Sequence, residues 1–180
     1  MWNVGDLVVH PRYGPAVIEK ITATQKEDQK KSYYCLRLAG DRDKSMVMIP
    51  EDAIDTVGLR TKLLDAETIR TIMHEDPDNL EEETLARQKY IKATMQSKNP
   101  HELVSLLRDI YWLEKGKRLS QSENKSRNDL LGILGSELSI SQDISTLMAQ
   151  TVLKEIIKVA MDSHPLPEDD LDPTETEVNT

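Results

Sequence analysis

The stretch VGDLVVHPRYGPAVIEKI, residues 4–21, gives the clearest indication of how the chain folds. Two β-rich runs in it, LVV and AVI, flank the segment 10–15. Pro11 fixes φ and cannot donate to a sheet ladder, and Gly14 tolerates a positive φ, so the segment is predicted to be a turn between strands. The stretch therefore predicts a small, strongly bent antiparallel sheet. Because none of its residues is poised for covalent chemistry, we interpret this sheet as a binding surface.

The β pattern continues up to Pro50. Strands are predicted at 32–38 and 45–49, with a hairpin turn at 39–43 between them. Four or five short strands within roughly 50 residues are typical of a small SH3-like or Tudor-like antiparallel barrel. The single cysteine, Cys35, lies in a strand pattern with no histidine nearby, and we expect a buried, inert thiol.

The last of these strands carries two methionines, Met46 and Met48. Side chains alternate between the faces of a strand, so the methionines point outward if Val47 and Ile49 point inward. Two interpretations stay open for an outward pair. The methionines fill gaps in a core that covers both faces, or they form an adaptable surface where a partner adds a strand to the sheet.

Beyond Pro50 the apolar residues adopt a helical spacing. One or two short helices are predicted within 51–75. Pro77 then breaks the pattern, and three glutamates at 81–83 suit the first turn of a following helix. We therefore predict an N-terminal domain over residues 1–75, which holds the sheet and the short linker helices.

The second predicted domain, residues 76–162, is all-α with about four helices. These helices start near residue 80, after Asn99-Pro100, at Ser120 and near residue 143. Ser120 has Glu123 three positions later, the spacing of a capping box. The remaining residues, 163–180, contain acidic residues and prolines but no Lys or Arg, which predicts a disordered acidic tail. The predicted fold class is α+β.

Composition narrows the possible functions. The 180 residues carry a formal net charge of −9, and no run of 18 apolar residues suggests a membrane span. The N-terminus lacks the basic and apolar regions of a signal peptide, and one cysteine cannot form an internal disulfide. These features predict a cytoplasmic protein without a membrane partner.

The charge is unevenly distributed along the sequence. Residues 84–128 hold ten Lys and Arg against four Asp and Glu, whereas the rest of the chain is strongly acidic. Trp112 in this basic block has Arg108 and Lys115 at helical spacing. The tryptophan therefore contacts nucleic acid, or it packs against another helix of the bundle.

No pattern in the sequence predicts catalysis. The four histidines, His10, His74, His101 and His164, lack metal-ligand spacing, and no glycine-rich phosphate loop is present. The S-x-x-K match at 122–125 falls where the capping box already explains it. We therefore expect no enzymatic activity, no metal, no cofactor and no small-molecule substrate.

Read together, both halves of the chain resemble the CarD/CdnL family of bacterial transcription regulators over roughly residues 2–160. The N-terminal half carries this resemblance in Val4–Pro11, Gly14, Tyr34, Val47–Pro50 and Val57–Arg60. The C-terminal half carries it in Leu107–Ile110, Leu119-Ser120, Glu123 and Glu137-Leu138. The combination of these short matches is specific, although no one of them would be.

The resemblance implies a Tudor-like domain that binds the β subunit of RNA polymerase, similar to a module of the transcription-repair coupling factor. It also implies a helical domain that contacts promoter DNA at the upstream edge of the melted region and modulates the stability of the open complex. Carried over by position, the polymerase-facing residues are Thr24, Met46 and Met48. An alternative is a polymerase-bound adaptor whose helical domain recruits another protein instead of DNA.

The sequence differs from the family pattern in the region that the resemblance implies contacts DNA. Relatives carry a tryptophan near the start of the first C-terminal helix as a minor-groove wedge, and here the aligned position is about Thr84, with Trp112 not its equivalent. Basic residues nearby predict DNA contacts instead, mostly to the backbone: Arg87, Lys89, Lys92 and Lys98. We expect weaker stabilisation of the open complex than a wedge would give.

Overall fold

The computed structural model describes residues 2–26, 29–39 and 46–164. Four strands come first: β1 (Leu7–His10), β2 (Gly14–Lys26), β3 (Gln29–Leu38) and β4 (Met46–Pro50). A short 3-10 turn (Glu51–Ala53) leads into six helices: α1 (Ile54–Val57), α2 (Ala66–Met73), α3 (Thr84–Thr94), α4 (Pro100–Gly116), α5 (Gln121–Ser141) and α6 (Thr146–Ser163). The α+β fold class is confirmed.

The strands form an antiparallel meander in the order β1-β2-β3-β4. His10 pairs with Gly14 at the first hairpin, and Gly14 has a φ of 76°, a left-handed conformation that favours glycine. The turn predicted at 10–15 is therefore confirmed. A register shift between Ile18 and Lys20 marks an irregularity in the pairing of β2 with β3, as at a β-bulge, which increases twist and bending.

The predicted closed barrel is not confirmed. Within the described residues the sheet is open, because β1 and β4 lie at opposite edges. Among the residues that the structure describes, the free edge of β1 is paired only at Val9, whose N–H and C=O bond to Arg60. One bridge does not close a barrel, since closure requires a continuous ladder around the sheet.

One face of the sheet carries its own apolar core. The buried side chains on this face are Val8, Ala16, Ile18, Tyr34, Leu36 and Ile49. Trp2 covers one end of this core with its ring edge-on to Tyr34, the centroids 6.2 Å apart. Residues of the short helix α1 cover it further. The opposite face of the sheet is left for other contacts.

The helices share a second, larger core. The four predicted C-terminal helices are present as α3 to α6, and the capping box of Ser120 with Glu123 is formed at the start of α5. Two further helices, α1 and α2, precede them. The apolar face of α2 belongs to this helical core through Ala66, Ile69, Ile72 and Met73.

Packing thus divides the chain between Arg60 and Leu64, because Leu64 is the first residue of the helical core. The sequence-based division into 1–75 and 76–162 remains a prediction, but α2 packs with the domain that follows it. Two other predictions lie outside the described residues, wholly or almost wholly. They are the hairpin turn at 39–43, beyond Ala39, and the acidic tail at 163–180, beyond His164.

Several contacts among the described residues join the sheet domain to the helical domain. The guanidinium of Arg60 donates two parallel hydrogen bonds of 2.6 Å to the carboxylate of Glu137 in α5. The backbone N–H of Leu64 also donates to Glu137, whose side chain is fully buried. At the first hairpin, a Cβ on Gly14 would contact Ile133 of α5 at 3.7–3.8 Å. A further contact is made by Lys98, which lies between α3 and α4 and donates to the carbonyl of Asp55 in α1.

Candidate functional site

The outer face of β4 presents the two methionines to solvent. Met46 is 44% exposed and Met48 55% exposed, whereas Ile49 is buried in the sheet core and Val47 packs against it. The predicted outward orientation of the pair is confirmed. Of the two interpretations left open, core filling is ruled out, because a gap-filling methionine would be covered by other side chains.

β4 is also an edge strand. Within the described part of the chain, its only strand partner is β3, so its other backbone edge can pair with a strand from another molecule. On the methionine face, Met48 lies opposite Cys35 and Met46 lies opposite Arg37. The thiol of Cys35 is free and buried, as predicted, with the Thr22 hydroxyl 3.8 Å away. This face combines apolar exposed side chains with an open backbone edge.

Thr24, the third residue predicted to face the polymerase, lies in β2. Its backbone is in register with Lys31 of β3. Its side chain falls outside the part of the chain that the structure describes. The assignment of Thr24 therefore stays a prediction.

Arg87, predicted to contact DNA, is buried instead. Only 4% of its surface is exposed, and its Nε donates to Glu123 at 2.6 Å. Its Nη1 donates to the backbone carbonyls of Glu81 and Glu82. Since every one of these bonds holds the guanidinium inside the bundle, Arg87 is not available to a phosphate, and we correct its assignment to a structural role.

The ion pair with Arg87 and the capping box both affect the pKa of Glu123. Burial by itself raises the pKa of this carboxyl group. Hydrogen bonds from the N–H and hydroxyl of Ser120 and from Arg87 favour the charged form and together lower the pKa below its ordinary value. Arg87 and Glu123 thus act as a charged pair that ties α3 to the start of α5.

Lys98 is exposed but engaged at the joint between the sheet and the helices. Its Nζ donates to the backbone carbonyl of Asp55 in α1. Its methylene chain lies over Gly58, where any Cβ would overlap it. Gly58 ends α1 with a φ of 75°. This packing assigns Lys98 to the joint, so we remove it from the proposed DNA surface.

Lys89 and Lys92 are exposed on α3, as a DNA-contacting role requires. Between them in helical projection lies Leu85, which is 73% exposed, and Tyr90 is 47% exposed nearby. An apolar side chain so open to water, one and two helical turns before the two lysines, was not identified from the sequence. The weak amphipathicity of α3 was the available signal, because only Arg87 and Ile91 of this helix are buried.

The surroundings of this face are mixed in charge. Exposed glutamates at 81–83 immediately precede α3. The amide of Gln88 in α3 donates to the Ser120 hydroxyl at 3.5 Å. Ser120 directly follows the loop 117–119. That loop carries exposed Lys117 and Arg118. Exposed cations therefore lie on α3 and on the loop 117–119, and exposed carboxylates lie just before α3.

Trp112 packs inside the helical domain. Its indole N–H donates to Asn79 at 3.2 Å, and the ammonium of Lys115 lies 5.4 Å from its ring centroid. The side chain is partly buried. Of the two interpretations left open for Trp112, packing is the one that the contacts favour.

Arg108 forms a second buried ionic cluster. Its guanidinium donates to Asp109, to the carbonyl of Ile72 and to Glu75, each at 3.0 Å. Asp109 also accepts from the N–H of Asp78. Burial raises the pKa of Asp109, and the positive charge of Arg108 opposes this effect. The cluster fixes the connection between α2 and α3 onto α4.

These clusters explain several residues that carried the family resemblance. The buried charged residues of the described chain are Arg87, Arg108, Asp109, Glu123 and Glu137. All but Arg87 belong to the motifs quoted above. The C-terminal motifs therefore mark ionic joints within the fold, and the exposed residues of the helical domain that can bind a partner lie elsewhere.

The described residues form neither a metal site nor a membrane-spanning helix. No group of three or more His, Cys, Asp or Glu side chains is arranged to hold a metal ion there. Among the described helices, none is long and apolar enough to cross a membrane.

Comparison with known proteins finds two matching family models and a similar curated protein. The family described as "CarD-like/TRCF RID domain" matches residues 2–61, and the one described as "CarD, C-terminal domain" matches residues 68–154. The chain is also 28% identical over 148 residues to "Putative transcription factor YdeB" of Bacillus subtilis (strain 168). That alignment covers 81% of this chain and 95% of the relative. The break between the two family matches, 62–67, includes the point where the packing divides.

Proposed function

We propose, from the premise that the chain belongs to the CarD-like family of transcription factors, that it regulates initiation by bridging RNA polymerase and promoter DNA. In this proposal the sheet domain binds the polymerase β subunit. The helical domain contacts DNA at the upstream edge of the transcription bubble and modulates the stability of the open complex. The observation that carries the proposal is the pair of exposed surfaces, one on each domain, that remain after the internal ion pairs are assigned.

The surface proposed for the polymerase is the methionine face and open edge of β4. Backbone pairing at a strand edge supplies affinity without requiring a particular sequence, and alternate side chains add specificity. Met46 and Met48 are suited to this role because a flexible thioether adapts to the shape of its partner. Thr24 is retained in the proposal from the family resemblance.

The surface proposed for DNA is the exposed face of α3 with the neighbouring loop. Of the four cations predicted to contact DNA, Lys89 and Lys92 remain in this surface. Lys117 and Arg118 of the loop are added to it. Contacts of lysine and arginine with phosphates give an affinity that decreases with salt and carries little sequence information.

Leu85 modifies the prediction that the wedge is missing. Leucine is among the apolar side chains that architectural proteins insert between base steps. Leu85 lies one residue from the aligned position, Thr84, and is largely exposed, with Lys89 one helical turn and Lys92 two turns farther along α3. We therefore propose that Leu85 serves as a small wedge. It offers less surface to stack on a base than an indole ring, so its stabilisation of the open complex should be weaker.

A second candidate function is that of the adaptor, in which the helical domain binds a protein. The exposed glutamates at 81–83 favour it, because they repel the phosphates of DNA. Leu85 and Tyr90 would then be apolar contacts of a protein partner. The two functions differ in how their binding responds to salt.

The polymerase contact is tested with Met46→Asp/Met48→Asp. A carboxylate facing an apolar or backbone-paired partner strand loses its hydration without compensation, so we expect at least a tenfold loss of affinity for purified RNA polymerase. Leu147→Asp, on an exposed apolar residue of α6, is the matched control and should retain binding. A folded double variant that binds normally would place the interface elsewhere.

The DNA contact is tested with Lys89→Ala/Lys92→Ala on polymerase–promoter complexes. Each phosphate contact contributes about 0.9 to the salt slope, so the slope should decrease by about 2. Lys62→Ala/Arg70→Ala removes two exposed cations outside this surface and should leave the slope unchanged. An unchanged slope in both double variants would support the adaptor.

The wedge is tested separately from the cations. Leu85→Ala should shorten the lifetime of the open complex and leave the salt slope as it is, whereas Thr84→Trp should lengthen the lifetime. If Leu85→Ala has no effect on the lifetime while Lys89→Ala/Lys92→Ala lowers the slope, DNA binding occurs through the backbone alone.

A further inference from the structure

A groove between α4 and α6 is used by neither proposed surface. Its floor is apolar and is formed by Tyr111, Ile157 and Met161. Exposed Lys154 and Lys158 line the side formed by α6. Glu114, Lys115 and Asp162 complete the lining.

The chain leaves α6 at the end of this groove. The ammonium of Lys115 donates to the carbonyl of Met161 at 2.8 Å and to the carbonyl of His164. These bonds fix the last turn of the helix and the point from which residue 165 continues. The next residues therefore start beside the apolar floor, with Lys158 and Lys154 six and ten residues back along α6.

The segment that continues from this point is PLPEDDLDPTETEVNT, residues 165–180. Pro165 and Pro167 disfavour continuation of the helix and favour extended backbone. Leu166 and Leu171 are apolar, and the acidic residues among the sixteen are Glu168, Asp169, Asp170, Asp172, Glu175 and Glu177. The segment has no Lys or Arg, so its charge is opposite to that of the two lysines.

The length of the segment also fits. Ten helical residues rise about 15 Å, so Lys154 lies at roughly that distance from the end of α6. Seven extended residues span about 23 Å. A chain that turns back directly after His164 would therefore place Leu166 over the floor near Met161 and bring Glu168 and the aspartates that follow it level with Lys158 and Lys154.

From position, charge and length together, we propose that residues 165–172 of this same chain fold back along α6 and occupy the groove. Leu166 covers the apolar floor, and the carboxylates of 168–172 pair with Lys154 and Lys158. This is an intramolecular docking surface that is independent of the polymerase and DNA contacts. The ion pairs of this contact lie at the surface, so salt screens them and the contact weakens as the ionic strength rises.

The first test is zero-length carbodiimide cross-linking of the full chain at low salt, with the products mapped by mass spectrometry. A mixture of unlabelled and nitrogen-15-labelled protein separates links within one chain from links between chains. We expect links from carboxylates of 168–172 to Lys154 and Lys158 within one chain, and at least fivefold fewer to Lys62 and Lys125, which are also exposed. Uniform linking to all exposed lysines, or links only between chains, would overturn the proposal.

The second test observes the groove itself. In protein labelled at the methionine methyl groups, Glu168→Ser/Asp169→Ser/Asp170→Ser should shift the NMR signal of Met161, which lines the groove, and leave those of Met46 and Met48 unchanged. These substitutions lie outside the folded helices, so loss of folding is not an expected explanation. A matched change, Glu175→Ser/Glu177→Ser, should shift Met161 less. An unmoved Met161 signal in the triple variant would show that the segment does not occupy the groove.

Discussion

Replacing Arg60 with alanine tests how the two domains are joined. In the native chain both oxygens of Glu137 accept from the Arg60 guanidinium at 2.6 Å, and the Glu137 side chain is 0% exposed. Arg60→Ala leaves this carboxylate buried with the N–H of Leu64 as a remaining donor. Breaking a buried ion pair by removing one partner costs about 3–5 kcal/mol. Because Arg60 itself is 18% exposed, we expect the lower end, about 3 kcal/mol.

The assay is urea unfolding followed by circular dichroism, with Arg70→Ala as the matched control. Arg70 pairs with Glu67 on the exposed face of α2, where an ion pair contributes at most about 1 kcal/mol. The double variant Arg60→Ala/Glu137→Leu removes the stranded charge and should recover part of the loss, because an apolar replacement of a buried pair is often neutral. A cost below 1 kcal/mol for Arg60→Ala would refute this account of the joint.

Four further outcomes follow from the buried groups. Arg87→Ala should lower the free energy of unfolding by about 3 kcal/mol, because it leaves the buried Glu123 carboxylate without its ion-pair partner, and urea unfolding measures the loss. The stability difference between the native chain and Glu123→Gln should be full above pH 4.5, the ordinary pKa of the carboxyl, and shrink as pH falls through its lowered pKa in acid titrations of unfolding. Limited proteolysis should spare 76–83, which the Arg87 and Arg108 clusters hold in place. Trp112→Ala should destabilise the fold by about 2 kcal/mol and leave the salt slope of DNA binding unchanged.

The local features of the fold could be predicted from the sequence. The turn at 10–15, the outward pair Met46 and Met48 and the capping box at Ser120 each depend on residues close together in the chain. Their physical causes are also local, namely the restricted φ of Pro11, the alternation of a strand and the spacing of a helix turn. This is why the structure confirms them.

The sequence could not reveal which cations are free. Arg87 and Lys89 look alike in a basic helix, but Arg87 is paired with Glu123, 36 residues away, and Lys89 is exposed. The bond between Arg60 and Glu137 spans 77 residues. Pairings across such separations depend on how helices pack, which the spacing of residues along one helix does not contain. For the same reason the sequence pattern places α2 with the sheet, although in the structure it packs with the helices.

The joint gives a physical reason why two modest surfaces can act together. Two methionines at a strand edge and two lysines with a leucine on α3 each offer limited contact. When both belong to one rigid body, binding through the first holds the second at a high effective concentration near its own target. The joint supplies this rigidity through the Arg60–Glu137 pair and through Lys98 packed over Gly58. Under the proposed function, a loosened joint therefore weakens open-complex stabilisation in a variant whose two surfaces are intact, and Arg60→Ala under conditions where it stays folded makes this comparison directly.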